Sequence, residues 1–282
     1  MPKAPSLHVP APARGATLFV TAVAIGMPVA VIIKLFEGRL GAVDIAGWRM
    51  LLGLPLVVGY AALRGEQAWR TAWPAGQWLR GAAMTLAAVL YFHLYQHLPI
   101  ATVIAVSLVP PLFSVPAAAM LLREKVPPRH WVTLAMSCLG CLLVIPPGTS
   151  TELGAAAALL VLVETAVPLL TRRAAGADPA STSTFYFQFV GALLLMPLAA
   201  PTLPQPNDLA LLATMAALAT GGQVLLAASF RFASVHVLAP FAYLQLAMAA
   251  AFDVLVFDDP LRLPAMAGGA IIAAACVLAA RK

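Results

Sequence analysis

The sequence predicts an all-α integral membrane protein whose ten transmembrane helices form two inverted five-helix repeats. Three observations lead there. Apolar residues make up 62% of the chain and charged residues only 10%, whereas a soluble domain is roughly one quarter charged. The apolar residues gather into ten runs separated by short charged or Pro/Gly-rich breaks, and one helical crossing of a bilayer needs about 20 such residues. Lysine and arginine then alternate across the breaks in the pattern that orients membrane proteins. No stretch remains for a sizeable soluble domain.

The elements follow in chain order. Met1 to Arg14 is Pro-rich and places Lys3 and Arg14 ahead of the first apolar run at 15–34. That run is longer than a signal-peptide core and is not followed by an A-x-A-like cleavage site, so it reads as a retained first span. The later spans are expected at 45–63, 77–97, 100–122, 129–146, 152–171, 179–199, 209–231, 235–257 and 262–280. They read as helices because backbone in lipid must satisfy its own polar groups and the period-2 pattern of barrel strands is missing. Pro28 and Pro168 interrupt spans one and six, and Pro110 and Pro111 stand at the centre of span four. Each proline removes a backbone donor and marks an expected bend.

Charge gives the orientation. With the N-terminus inside, only Lys34, Arg39, Arg49 and Arg262 of the 17 basic residues fall on the outer side, leaving thirteen inside. Both termini are therefore expected in the cytoplasm. The net charge of +6 does not point to nucleic acid, because the basic residues lie singly or in pairs between apolar runs. Cys138 and Cys141 form a C-x-x-C and Cys276 stands alone. With no third or fourth ligand nearby, all three read as small buried hydrophobes, and no metal or cofactor is expected.

The two halves of the chain can be overlaid. The stretch from Pro99 through LVPPLFSVPAAAMLLREKVPPRHW lies on the stretch from Ser234 through YLQLAMAAAFDVLVFDDPLRLPAM without a gap. Each contains a span ending in an acidic loop, at Glu124 and at Asp259, and Lys34 closes span one as Arg172 closes span six. The expected units are 1–148 and 149–282. Five is an odd number of crossings, so the second unit must sit upside down relative to the first, with a site between them near the midplane.

The segments LYFHLYQHLPIATVIAVSLVPPLFSVPAAAMLLREKVPPRHW, LLTRRAAG and FASVHVLAPFAYLQLAMAAAFDVLVFDDPL resemble the EamA-type carriers of the drug/metabolite transporter superfamily. The resemblance runs over nearly the whole chain. It implies a bacterial inner-membrane carrier with a central cavity that opens alternately to either side, and with spans five and ten packed away from the path. It also implies export of metabolites, with the YddG branch exporting aromatic amino acids. The chain departs from the family pattern at Glu164 and Asp253, where smaller or aromatic residues are usual.

Polar groups at membrane depth are costly unless they face a cavity or the bundle interior. Glu164 in span six, Gln223 in span eight, and Tyr243 and Gln245 in span nine all fall near the midplane. Tyr91 and Tyr95, four residues apart, share one face of span three with Met84 and Ala88, and such a face offers an aromatic wall to a flat solute. Substrate contact is expected from these six polar and aromatic residues. Plainer roles stand beside it: the tyrosines as interface packing, the glutamines as interhelical hydrogen bonders and Glu164 as a neutral structural acid. His93 points about 160° from Tyr91 and is expected to hydrogen-bond across helices. Asp253 falls in the outer half of its span. Arg49, about one turn inside span two, is expected to snorkel outward rather than to meet a carboxylate substrate.

These features predict a secondary carrier for a small organic solute, most simply an aromatic or apolar amino acid leaving the cell. Another metabolite or a cationic drug is the alternative. No P-loop is present to use ATP. An intramembrane enzyme would need a concentrated catalytic set and a channel would need a filter loop or charged rings; neither is found.

Overall fold

The computed structural model describes residues 12–110, 128–175, 178–200, 204–232, 235–259 and 262–280. Among them are ten helices and no strand: α1 Pro12–Leu35, α2 Ala42–Leu63, α3 Pro74–His97, α4 Ile100–Ser107, α5 Pro128–Val144, α6 Thr151–Ala175, α7 Ala180–Leu195, α8 Pro206–Phe232, α9 Val235–Phe257 and α10 Leu263–Ala280. Every expected span has its helix. Three of them, α1, α2 and α8, are individually long and apolar enough to cross a membrane within the described residues. Side chains such as Leu142, Leu162 and Leu255 point outward from the bundle, giving it the apolar exterior that lipid requires.

Local chemistry sets the helix ends. Pro74 opens α3 at its first turn, where its missing N–H costs nothing. After α2 the chain turns through Gly65 at φ +67. Gly65 N–H bonds the Ala62 carbonyl and Glu66 N–H the Ala61 carbonyl, a Schellman stop that needs a left-handed residue. The prolines divide into two groups. Both α1 and α6 run unbroken through Pro28 and Pro168, against the expected interruptions, because a helix in a packed bundle tolerates the lost donor. In span four the helix does stop: α4 ends at Ser107 and the chain tightens through Leu108→Ala105 and Val109→Val106 bonds just before Pro110. Pro111 lies outside the described residues.

Packing carries the repeat. Adding five to a helix number converts the contact of α1 with α8 into that of α6 with α3, and α1 with α9 into α6 with α4; α2 with α8 becomes α7 with α3. The pairs α2 with α7, α4 with α9 and α5 with α10 map onto themselves. Two five-helix repeats related by a pseudo-twofold axis produce this pattern, and an odd number of crossings inverts the second. Ile33, Met50, Phe92, Phe187 and Met215 bring α1, α2, α3, α7 and α8 into one buried cluster. The α5–α10 pair touches backbone to backbone: a Cβ on Gly140 would stand 2.7 Å from the Gly268 oxygen, and one on Gly268 only 2.4 Å from the Gly140 oxygen. Small residues permit this approach, as is common between membrane helices.

The polar contacts at the helix ends fall into two sets, consistent with strict alternation of the spans. On one face Lys34 pairs with Asp259 at 2.6 Å and Arg39 pairs with Asp208. There Asp44 accepts the Ala200 N–H at 2.7 Å, and Gln96 donates to the Leu40 carbonyl at 2.8 Å. On the other face Asp178 accepts from the Ala72 N–H and from Gln77 Nε2, each at 2.8 Å, and Ser181 donates to Glu66. We call these the Lys34 face and the Asp178 face.

Candidate functional site

Between the repeats lies a cavity of about 520 Å³, lined by α1, α2, α3, α4, α6, α7, α8 and α9. None of its described lining residues comes from α5 or α10, which pack against each other. Its wall is largely apolar, from Phe19 and Leu226 nearer the Asp178 face to Ile33 and Ile104 nearer the Lys34 face. Volume and lining suit one small solute.

Five of the six expected site residues reach this cavity. Glu164, Gln223, Gln245, Tyr91 and Tyr95 all line it, although they stand on four different helices. Tyr243 belongs to α9, but its side chain lies outside the described residues. Tyr91 and Tyr95 stack with ring centroids 6.0 Å apart and planes inclined by 21°. Met84 and Ala88 continue the same face into the cavity, as their helical spacing requires. The Gln223 Oε1 is buried without a hydrogen-bond donor. Glu164 forms no ion pair among the described residues. The cavity therefore presents two acceptors, on Glu164 and Gln223, beside a stacked aromatic pair.

Other placements correct the sequence reading. Arg49 does not snorkel: it is 7% exposed and lines the cavity. Its guanidinium lies over the rings of Phe187 and Phe92, 5.5 and 6.0 Å from their centroids. The reason is a boundary. Helix α2 begins at Ala42, three residues before the expected span, which takes Arg49 from one turn to two turns of depth, about 10 Å. His93 lies off the cavity, as its 160° offset requires, yet its ring rests on His97 of the same helix at 4.6 Å and makes no described bond across helices. Cys138 is exposed on the bundle exterior and Cys141 only partly covered, so neither is the buried hydrophobe expected; the side chain of Cys276 lies outside the described residues.

Asp253 has a role the sequence did not suggest. It is 3% exposed and accepts the N–H groups of Ile100 at 2.8 Å and Ala101 at 2.7 Å, the first two residues of α4. A helix N-terminus presents unsatisfied donors and partial positive charge, which a carboxylate neutralises. Lys34 approaches the same carboxylate at 3.9 Å. The departure from the family pattern at Asp253 is thus a helix cap supplied from the other repeat. The sequence clue was Pro99, which starts a helix without a side chain able to cap it.

Known proteins give the context. The model of the EamA-like transporter family matches the chain twice, over residues 13–145 and 153–281. The pseudopaline exporter CntI of Pseudomonas aeruginosa is 25% identical over 89% of this chain and 90% of its own length. The S-adenosylmethionine uptake transporter of Rickettsia prowazekii is 22% identical over 80% of this chain and 78% of that protein. A riboflavin transporter of Brucella anthropi matches a shorter part, 29% identical over 38% of this chain and 37% of its own. A crystal structure of a protein 17% identical in sequence superposes with a TM-score of 0.63 over 94% of this chain and 96% of that one, a likeness of fold.

Proposed function

The chain belongs to the EamA-like transporter family, and from that premise we propose that it is a secondary carrier exporting amino acids of aromatic or apolar character. The transport path is the cavity between the repeats, and access to it alternates between the two faces. Glu164, Gln223, Tyr243, Gln245, Tyr91 and Tyr95 contact the solute. The repeats divide at 1–148 and 149–282. The protein resides in a bacterial inner membrane with both termini in the cytoplasm, so that the Asp178 face is internal and the Lys34 face external.

The observation that carries this reading is the stacked Tyr91–Tyr95 pair sharing a largely apolar cavity with the unpaired Glu164. Aromatic faces favour flat apolar groups, and a carboxylate in a low-dielectric site favours a proton or a cationic group. The Lys34–Asp259 and Arg39–Asp208 pairs tie helices together on the external face. Breaking them opens the cavity to that side, as rocking of one repeat against the other requires.

The test is reconstitution in liposomes with a panel of radiolabelled amino acids and amines, with and without a pH gradient. Saturable flux of aromatic or apolar amino acids that related compounds compete away is the expected result. Flux that rises linearly with concentration means a pore. Selective flux of amines or larger metabolites instead of amino acids supports the second reading, a carrier for another metabolite or a cationic drug. Names among the relatives favour that reading, since they cover riboflavin and S-adenosylmethionine.

A further inference from the structure

Arg49 is the only base, and Glu164 the only acid, among the described residues lining the cavity. The two do not pair with each other. The Arg49 Nε is buried with no hydrogen-bond partner, and its guanidinium lies over the rings of Phe92 and Phe187. A guanidinium stays protonated at any physiological pH and carries five donors. Holding that charge away from water with no anion beside it is expensive, and two ring faces offset only part of the cost. Both of these rings are apolar members of the same cavity wall. A protein that needed Arg49 only for packing would be served better by methionine or leucine at that depth.

We propose that Arg49 is the docking residue for a carboxylate of the transported solute, so that the cavity selects anionic or zwitterionic solutes and turns their acid end toward the Lys34 face. This rests on the carrier reading above and adds a substrate class to it. Guanidinium and carboxylate match as planar, two-pronged partners. The flanking rings hold the guanidinium in place before the solute arrives, which lowers the ordering cost of binding. The wall of Tyr91 and Tyr95 stands in the same cavity to receive an apolar or aromatic body attached to that acid.

The experiment uses the full chain in proteoliposomes and three ring-matched probes: 3-phenylpropionate with an acid only, phenylalanine with acid and amine, and phenethylamine with an amine only. Binding is read by ligand-induced thermal shift and transport by counterflow of the labelled compounds. Wild-type protein is expected to bind both acids. Arg49→Gln weakens them by about ten- to hundredfold, the worth of a charge-assisted hydrogen bond, without weakening phenethylamine, whose cation no longer meets a like charge in the cavity; Arg49→Lys restores part. Arg49→Met is expected to melt no lower than wild type without ligand, because it removes an unpaired buried charge. Acids that bind Arg49→Gln as tightly as wild type overturn the proposal, and so does equal weakening of all three probes or a sharp fall in the Arg49→Met melting temperature. Arg49-dependent binding of acids without any flux upholds the docking site and sinks the carrier reading. Saturable flux of phenethylamine with no binding of either acid does the reverse. Three probes that neither bind nor move sink both.

Discussion

The Asp253 Oδ1 accepts the backbone N–H of Ile100 at 2.8 Å across 153 residues of sequence, and so the first turn of α4 is completed by α9. Asp253→Ala leaves that N–H and its neighbour on Ala101 buried without an acceptor. It should destabilise the protein by about 3 kcal/mol. Asp253→Asn keeps one acceptor oxygen and should recover roughly half of the loss. Thermal or denaturant unfolding of the detergent-solubilised variants measures both. Equal stability of wild type and Asp253→Ala would remove the cap from the account.

The α5–α10 contact gives a second prediction, in which stability and binding separate. A valine at position 268 cannot enter the 2.4 Å gap to the Gly140 oxygen, so the two helices must move apart. Gly268→Val should cost about 1–3 kcal/mol. Neither helix supplies a described lining residue to the cavity. Solute affinity measured below the melting transition should therefore match wild type.

The Asp178 face makes a prediction about pH. Partial burial pushes the Asp178 carboxyl up, but hydrogen bonds from Thr71, Gln77 and the Ala72 N–H more than reverse this and hold it below its ordinary value of 3.8. A carboxyl depressed in the folded state contributes stability that is full above its unfolded pKa and is lost as pH falls through the folded one. The stability gap between wild type and Asp178→Ala should thus be constant from neutral pH down to about pH 5. It should close below the ordinary aspartate range. Melting temperatures collected across that interval test it, and a gap that widens in acid has the wrong sign.

Glu164 supplies the prediction for transport. Glu164→Gln keeps the shape and removes the charge, so expression and folding should be retained. Flux, or its dependence on pH, should change, because the carboxylate has no ionic partner of its own among the described residues and is free to bind a proton or solute. Wild-type flux from this variant between about pH 5.5 and 8 would retire Glu164 from the mechanism.

Depth was more legible in the sequence than orientation or partnership. Apolar run lengths and basic residues place ten spans because lipid penalises any other arrangement. Within one helix, periodicity put Met84, Ala88, Tyr91 and Tyr95 on a single face, and all four line the cavity. Glu164, Gln223 and Gln245 were found because polarity at the midplane is rare. What failed was anything depending on a neighbouring helix or on a boundary. Arg49 was placed one turn too shallow because Ala42 to Asp44 do not look like the start of a span, yet α2 begins there. Asp253 could not be matched to Ile100 and Ala101 because caps that come from another helix leave no local pattern.

The mutual packing of α5 and α10 also bears on how the protein is made. Gly268 leaves the ribosome about 130 residues after Gly140, and at the usual 5–20 residues per second this is a delay on the order of ten seconds. Throughout that interval the glycine groove of α5 is already in the bilayer with no mate. Newly inserted chains therefore pass through a waiting state in which one half offers a sticky, small-residue seam to any other helix nearby, including α5 of a neighbouring nascent copy. Slower translation of the second half would lengthen this vulnerable period and raise the yield of mispaired dimers without altering a single residue.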